Sequence, residues 1–402
     1  MDKQIVIVGG GIVGLATAYR LQQTIPGAHV TILEQESSVG QHQSSHNSGV
    51  LHCGLYYRPG SQRAKLAVRG VRQMVDFCRT YSIPHDVCGK LVVATEPEEI
   101  ARLHNLLARG RQNGLQGLRL LGPEELKEIE PHASGLAAIA VPEEGITDYL
   151  KVCETLARLV SDQGGTIVTG ARVTSLQRTA PTWRIEHSHG ELAADFLVTC
   201  AGLYSDRVAA LSGRKRSVRV IPFRGEYFLI RPERQYLVRN LIYPVPDPRM
   251  PFLGVHFTRR ISGGIEAGPN AVLAFSRVGY SKGVVSPGDL LDALLYPGLW
   301  RFLGKYGQVC WDELRRSFSR RLFCRSLQRL VPEIREEDLQ AGGSGVRAQA
   351  LAPDGTLLDD FHFVEEPGAL HVVNAPSPAA TASLAIGEEI ARSVASSVTI
   401  GS

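Results

Sequence analysis

The sequence predicts an α/β chain, α+β overall, in which a parallel, doubly wound domain is interrupted by a second domain built on an antiparallel sheet. A glycine-rich turn between strand and helix, an acid at the end of a second strand, and a strand-rich middle segment predict it. The opening strand Gln4-Ile5-Val6-Ile7-Val8 enters Gly9-x-Gly11-x-x-Gly14, and the following helix carries Leu15, Ala16, Ala18 and Leu21. Val30–Leu33 then delivers Glu34, twenty positions after Gly14. Gly9 permits the tight turn, Gly11 lets the backbone approach a pyrophosphate, and Gly14 lets helix and strand pack closely. The helix N-terminus, with Ile12 and Val13, offers N–H groups and a positive dipole end to phosphates. Glu34 is placed to accept hydrogen bonds from ribose hydroxyls. A glycine motif alone also fits a merely tight turn; with both strands, the helix and the acid in register it reads as a dinucleotide site.

The remaining elements follow in order. Ala64–Tyr81 carries an apolar stripe of Leu66, Val68, Val71, Val75 and Phe77 at helical spacing. Lys90–Thr95 reads as a strand, Glu96–Asn113 as a helix opened by Pro97, and Pro123 starts another, since proline is tolerated in a first turn. Leu150–Gly164 is a helix returning to the nucleotide domain, and Thr166–Val168 and Phe196–Cys200 read as buried strands, the second entering Ala201-Gly202. Tyr227–Ile230, Phe252–Phe257 and Ala271–Phe275 suggest a second sheet. Strand His371–Asn374, loop Ala375–Pro378 and helix Ala379–Val394 close the chain. These readings divide it into a Rossmann-like nucleotide domain at 1–85, 149–220 and 338–402, and a substrate domain at 86–148 and 221–337, with the ligand expected where the two meet.

Three segments carry chemistry. The loop Ser44–Ser61 is polar and glycine-containing and directly follows the cofactor acid; its length, the N-terminal position of the glycine motif and a far C-terminal cofactor segment favour FAD. Ser44, Ser45 and His46 are read as flavin-loop contacts. His52 is the first candidate for a general base, because imidazole titrates near neutrality and can take a hydroxyl proton while hydride leaves the adjacent carbon. His256 is the second. For each, a structural histidine is the competing reading. Arg224 and Arg347 can form a planar fork with a carboxylate, against a structural ion pair for either; Arg58 has weaker claims. Tyr57 and its neighbour Tyr56 supply hydroxyl donors or wall the pocket. The third segment, Asn374–Ser383, turns from strand to helix through small residues. Ala379, Ala380 and Thr381 there permit close approach to a flat ring, and the helix N-terminus can stabilise charge on the reduced flavin. Gln35, Val173, Ala201, Gly202 and Gly345 complete the expected cofactor set.

Gly9–Gly14, Glu34 and the Ser44–Gly54 loop resemble the D-amino-acid-oxidase-type family of FAD-dependent oxidoreductases. Further segments carry the resemblance across the chain: Pro222–Tyr227, Gly268–Phe275, Cys200–Asp206, Ser344–Gln349 and Asn374–Ser383. Together these resemble the members that oxidise the C2 hydroxyl of L-2-hydroxyglutarate to the ketone of 2-oxoglutarate. The resemblance implies a small dicarboxylate substrate, hydride transfer to flavin N5, and quinone or oxygen as electron acceptor. Cys53 stands where serine or alanine is expected. An amine or amino-acid oxidase of the glycine, sarcosine or D-amino-acid type is the alternative within the family, and a non-catalytic flavoprotein the alternative outside it.

Composition bounds the rest. The chain has 402 residues, 44% hydrophobic and 21% charged, as expected of a soluble protein with two ordinary domains. It enters its first strand at once, so no leader is expected, and a cytoplasmic location follows. Seven scattered cysteines contain no C-x-x-C pair, which argues for reduced thiols and no metal site. A net charge of +4 is too small to suggest nucleic acid. The charge is uneven, however. Trp300–Leu330 holds eight basic residues against two acidic ones, interleaved with aromatic and aliphatic side chains. Such a stretch either packs into the core with a solvated basic face or rests peripherally on an anionic membrane, here the inner face of the cytoplasmic membrane.

Overall fold

The computed structural model describes residues 3–400, with side chains to 398. A six-stranded sheet forms its nucleotide-binding half, in the order His362–Glu366, Ala369–Asn374, Phe196–Thr199, Gln4–Val8, His29–Leu33 and Thr166–Val168. Every pairing is parallel except that of the edge strand His362–Glu366. Gln4–Val8 is central, and Ile5, Val6, Ile7 and Val8 are all buried. An apolar run without alternation suits a strand covered on both faces. One cover is helix Ile12–Thr24, packed on helix Ser383–Ile400 so closely that a Cβ on Gly387 would lie 2.7 Å from the Ala16 backbone. The other is the antiparallel meander Val173–Thr179, Thr182–His187 and Gly190–Ala194, whose Trp183 and Ile185 pack with Val6, Val8 and Leu197.

The second half is built on a nine-stranded sheet. Its order is Val272–Leu273, Arg219–Ile230, Ile265–Gly268, His256–Arg259, Leu241–Pro244, Lys90–Ala94, Ala137–Val141 and Arg119–Leu121, with Leu339–Leu351 also paired to Arg219–Ile230. Its pairings are antiparallel except Leu241–Pro244 with Lys90–Ala94. A small sheet joins Val50–Leu51 and His85–Asp86 to Gly145–Thr147. That sheet ties the loop after the cofactor acid to the chain that returns from the second domain.

Five readings of the sequence need correction. Leu339–Leu351 belongs to the large sheet and not to the nucleotide domain, because its long register with Arg219–Ile230 runs from Leu339 to Leu351. The strand expected at Phe252–Phe257 is His256–Arg259, and the one expected at Ala271–Phe275 is only Val272–Leu273. The last helix starts at Ser383, with Ala379–Ala382 in a turn before it. Trp300–Leu330 is two helices, Pro297–Phe318 and Arg320–Gln328, and its apolar residues divide. Phe302, Phe323 and Leu327 are fully buried, whereas Trp300, Trp311, Leu314 and Phe318 are exposed.

Candidate functional site

The glycine turn is held by contacts only glycine permits. A Cβ on Gly14 would sit 2.0 Å from the Gly9 carbonyl oxygen, and one on Gly9, at φ +113°, would sit 2.4 Å from the Cys200 carbonyl oxygen. Glu34 is buried. Its Oε2 accepts the Gly10 N–H at 2.6 Å and its Oε1 the Glu36 N–H at 2.9 Å. Each carboxylate oxygen keeps lone-pair capacity for a ribose hydroxyl. Gln35 lies between these anchors, and the Ala171 N–H donates to the Glu34 carbonyl oxygen, which leads the chain into Val173. Gly11 caps Ile12–Thr24 without a side chain, and Ser44 Oγ accepts the Ile12 N–H at 3.0 Å. A helix start with no bulky cap, closed by one hydroxyl, fits a pyrophosphate.

Around the flavin-loop candidates the packing is equally close. His46 Nδ1 contacts the His42 carbonyl oxygen and Ser45 Oγ, and its ring stacks on Tyr280 at 4.0 Å. A Cβ on Gly345 would meet the His46 carbonyl oxygen at 2.4 Å. Gly202 adopts φ +51° just after Ala201. Thr381 is buried beside Ala379 and Ala380; its Oγ1 accepts the His52 N–H at 3.1 Å and lies 2.6 Å from the Tyr149 hydroxyl. The small-residue turn is thereby tied to strand Val50–Leu51 and to His52 just after it. Glycine and alanine at these approaches leave room for a flat ring, and the donor set suits FAD.

The reacting side is assembled from both halves. Leu51 pairs with Gly145, so the next position places His52 against Glu144, with His52 Nδ1 at 3.3 Å from Glu144 Oε2. Glu144 Oε1 lies 2.7 Å from Lys90 Nζ, and neither side chain is exposed. Burial alone pushes the Glu144 carboxyl up, but the Lys90 ammonium and the His52 contact outweigh it and hold it at about 2. The ammonium also sits 4.4 Å from the Tyr56 ring centre and 4.8 Å from that of Tyr243. Tyr243 stacks on His256 at 3.8 Å and meets His52 edge-on at 6.4 Å. His256 Nδ1 contacts the Gly254 carbonyl oxygen at 2.9 Å. Burial drives the His256 imidazole down to about 3, so it is neutral at physiological pH and a weaker base than an exposed imidazole.

The two arginine candidates separate. Arg224 is buried with its fork on Glu226 Oε1, at 3.2 and 3.0 Å, and a third N–H on the Ser281 carbonyl oxygen. It is a structural ion pair, which corrects its expected role as a substrate anchor. Arg347 donates only to the Asn270 carbonyl oxygen, at 3.1 Å, and among the described residues it has no carboxylate within ion-pair distance. Burial pushes its guanidinium pKa down. Both Arg347 and His52 lie near enough to His256 to depress its protonation. A guanidinium with no carboxylate within ion-pair distance among the described residues thus lies near the same histidine as the His52 imidazole, an arrangement that can hold an acid and take its proton. Tyr57 stacks beneath Arg63 at 4.2 Å, and burial raises its phenol pKa, so it is a neutral donor. With Tyr56 and Arg58 it lines a cavity of ≈ 230 Å³. Sequence reasoning misses Glu144, Lys90 and Tyr243, which no local motif marks.

Comparison with known proteins adds to this geometry. The family described as FAD dependent oxidoreductase (DAO) matches residues 4–393. The chain is 50% identical over 388 residues to an L-2-hydroxyglutarate dehydrogenase of Indibacter alkaliphilus, covering 96% of this chain and 97% of the relative. It is 44% identical to the human mitochondrial L-2-hydroxyglutarate dehydrogenase, covering 97% of this chain and 88% of the relative. Among solved structures, L-alpha-glycerophosphate oxidase from Mycoplasma pneumoniae with FAD bound superposes with a TM-score of 0.79 at 21% identity, covering 98% of this chain and 95% of the other. Glycine oxidase from Geobacillus kaustophilus gives 0.73 at 20% identity with the same coverage.

Proposed function

The chain belongs to the FAD dependent oxidoreductase family, with FAD as its cofactor, and from that premise we propose that it oxidises the C2 hydroxyl of L-2-hydroxyglutarate to give 2-oxoglutarate. The observation that carries this reading is Arg347, a guanidinium with no carboxylate within ion-pair distance among the described residues, lying near His256 as His52 does. An anionic substrate supplies the missing partner, and a hydroxy acid supplies a proton for the imidazole. Relatives at 50% and 44% identity that bear the name L-2-hydroxyglutarate dehydrogenase support this choice of acid.

Each residue then has a task. Arg347 forks the carboxylate next to C2. His52 accepts the hydroxyl proton at Nε2, the ring nitrogen that does not face Glu144. Tyr56 and Tyr243 wall the chamber, and Thr381 fixes the His52 backbone. Bound FAD supplies the hydride acceptor. The test is anaerobic mixing while the flavin absorbance is followed. L-2-hydroxyglutarate should bleach the flavin and yield 2-oxoglutarate, the D-enantiomer should not, and reduction by glycine or sarcosine instead would favour the amine-oxidase alternative.

Electrons then leave to quinone or oxygen, and the exposed face of the Pro297–Phe318 helix supports a membrane-side route. No helix among the described residues is long and apolar enough to cross a bilayer. Trp300, Trp311 and Phe318 are nevertheless exposed at 57, 57 and 75%, with exposed Arg301, Lys305 and Arg315 on the same helix. Aromatic side chains with basic neighbours suit peripheral contact with an anionic lipid surface, which supports a reading of the chain as a cytoplasmic protein in peripheral contact with the inner face of the cytoplasmic membrane.

A further inference from the structure

We propose that Glu144, held in place by Lys90, is the positioning residue that sets the tautomer and orientation of His52. The inference rests on the reading of His52 as the base that takes the substrate hydroxyl proton.

A buried ion pair contributes little net stability, because desolvation offsets most of the attraction. Lys90 and Glu144 are nonetheless both fully enclosed, and the carboxylate is divided between two tasks. Oε1 faces the ammonium at 2.7 Å and the Cys53 N–H at 3.3 Å. Oε2 faces His52 Nδ1 at 3.3 Å. An ionised carboxylate can only accept hydrogen bonds, so the nitrogen it faces must carry the ring proton. Nε2 is then the unprotonated nitrogen, free to receive a proton from substrate. The pairing Leu51 with Gly145 places His52 beside Glu144, and the Thr381 hydroxyl accepts the His52 N–H, so ring and backbone are both constrained.

Lys90 gives the arrangement its charge balance. Before reaction, ammonium and carboxylate sum to zero beside a neutral imidazole. After proton transfer, the imidazolium lies against the carboxylate while Lys90 keeps its contacts with the Tyr56 and Tyr243 rings. The Cys53 thiol, which donates to Glu144 Oε1 at 3.3 Å, and the His256 imidazole are both held neutral by burial, so neither adds a competing charge. Lys90 opens a strand of the large sheet and Glu144 immediately precedes strand Gly145–Thr147 of the small one, so the pair links the large sheet, through Glu144, to the base.

The test uses FAD-loaded enzyme carrying Glu144→Gln, which preserves shape and removes the charge. Anaerobic flavin reduction by L-2-hydroxyglutarate should slow by roughly 10²–10⁴-fold, the range for removing the carboxylate that orients a catalytic imidazole. The half-saturating substrate concentration should stay unchanged. In ¹⁵N-histidine NMR, the wild-type His52 signal should report protonation at Nδ1, and the variant should lose that tautomer. A merely structural carboxylate would alter stability without moving the tautomer or separating rate from substrate affinity. Should the single variant fold poorly because Lys90 is left unpaired, Lys90→Met with Glu144→Gln removes both charges and should show the same slow reduction. A wild-type rate in a folded variant, or a slow variant that keeps the Nδ1 tautomer, overturns the proposal. His52→Ala measured alongside separates the two levels. If it is slow and Glu144→Gln is not, this inference alone falls; if it is as fast as wild type, the base assignment falls first.

Discussion

Arg347 pairs across the sheet with Phe223 and not with Arg224, so the two arginines leave their adjoining strands on opposite faces. Strand alternation makes this a consequence of register. The face of Arg224 also carries Glu226, two residues on, and the ion pair closes there. The face of Arg347 carries Phe223 and Phe252, which offer it no charge. Arg347→Lys should therefore raise the half-saturating concentration of L-2-hydroxyglutarate by about 10–100-fold, as expected from loss of a charge-assisted fork worth about 1.5–3 kcal/mol. Arg224→Lys should lower thermal stability and leave substrate affinity near wild type. A reversed pattern in steady-state kinetics would return the anchor to Arg224.

Glu34 holds the cofactor turn as well as facing it. Its two oxygens accept N–H groups from Gly10 and Glu36, so Glu34→Ala removes the ribose acceptor and leaves two amides unpaired. FAD retention should weaken by on the order of 1–3 kcal/mol, seen as a rise of about 5- to 150-fold in the FAD concentration needed to reconstitute the yellow enzyme. Retention equal to wild type would show that ribose is held elsewhere.

The glycine turn, Glu34 and His52 are legible in the sequence because their evidence is local: fixed spacings around one strand–turn–helix unit and the loop that follows. Glu144 lies 92 residues from His52, and only the pairing of Val50–Leu51 with Gly145–Thr147 joins them. Lys90 reaches the same carboxylate from a different sheet, so nothing in its own segment marks it. Arg224 is a different kind of miss. Arg224-Gly225-Glu226 on one strand already places opposite charges on one face, a signal for the ion pair that was there to be read. The aromatic residues of Trp300–Leu330 divide between core and surface because a kink at Tyr306 and a break at Ser319 reset the helical phase, which periodicity alone does not reveal.

His256 should make stability fall as the solution is acidified. Its folded-state pKa is depressed by burial from the ordinary histidine value to about 3, so the unfolded chain binds a proton that the folded chain refuses. The stabilisation is complete above about pH 6.5 and is lost progressively as pH falls toward 3. Between pH 6.5 and 5 this amounts to on the order of 2 kcal/mol. His371, also depressed by burial, acts in the same direction, whereas Glu144 contributes only in the lower window, between the ordinary carboxyl range and about 2. Urea unfolding of the FAD-loaded enzyme should show a lower midpoint at pH 5 than at pH 6.5, and His256→Gln should flatten that difference. An equally steep loss in the variant would place the sensitivity in other groups.

The exposed aromatic residues of Pro297–Phe318 predict reversible attachment to anionic vesicles. Beyond the kink at Tyr306, Trp311, Leu314 and Phe318 recur at three- and four-residue steps, the spacing of one helical face, while Trp300 is exposed on the segment before the kink. Phe318 extends the apolar surface at the helix end. Arg301, Lys305 and Arg315 are exposed on the same helix, while Arg316 is held by Glu313 at 2.5 Å and is less free to engage lipid. Each available basic residue near an anionic surface is worth about 1 kcal/mol, and that contribution fades within a Debye length as salt rises. The protein should co-sediment with phosphatidylserine-containing vesicles at low salt and be released at high salt. Reversing Arg301, Lys305 and Arg315 to glutamate should abolish binding, and Trp311→Ser with Phe318→Ser should weaken it even at low salt, with bound FAD and the rate of flavin reduction unchanged in both. Wild-type protein that stays in the supernatant with these vesicles at low salt would make the patch a solvated face, and quinone would then have to be met without membrane attachment through this helix.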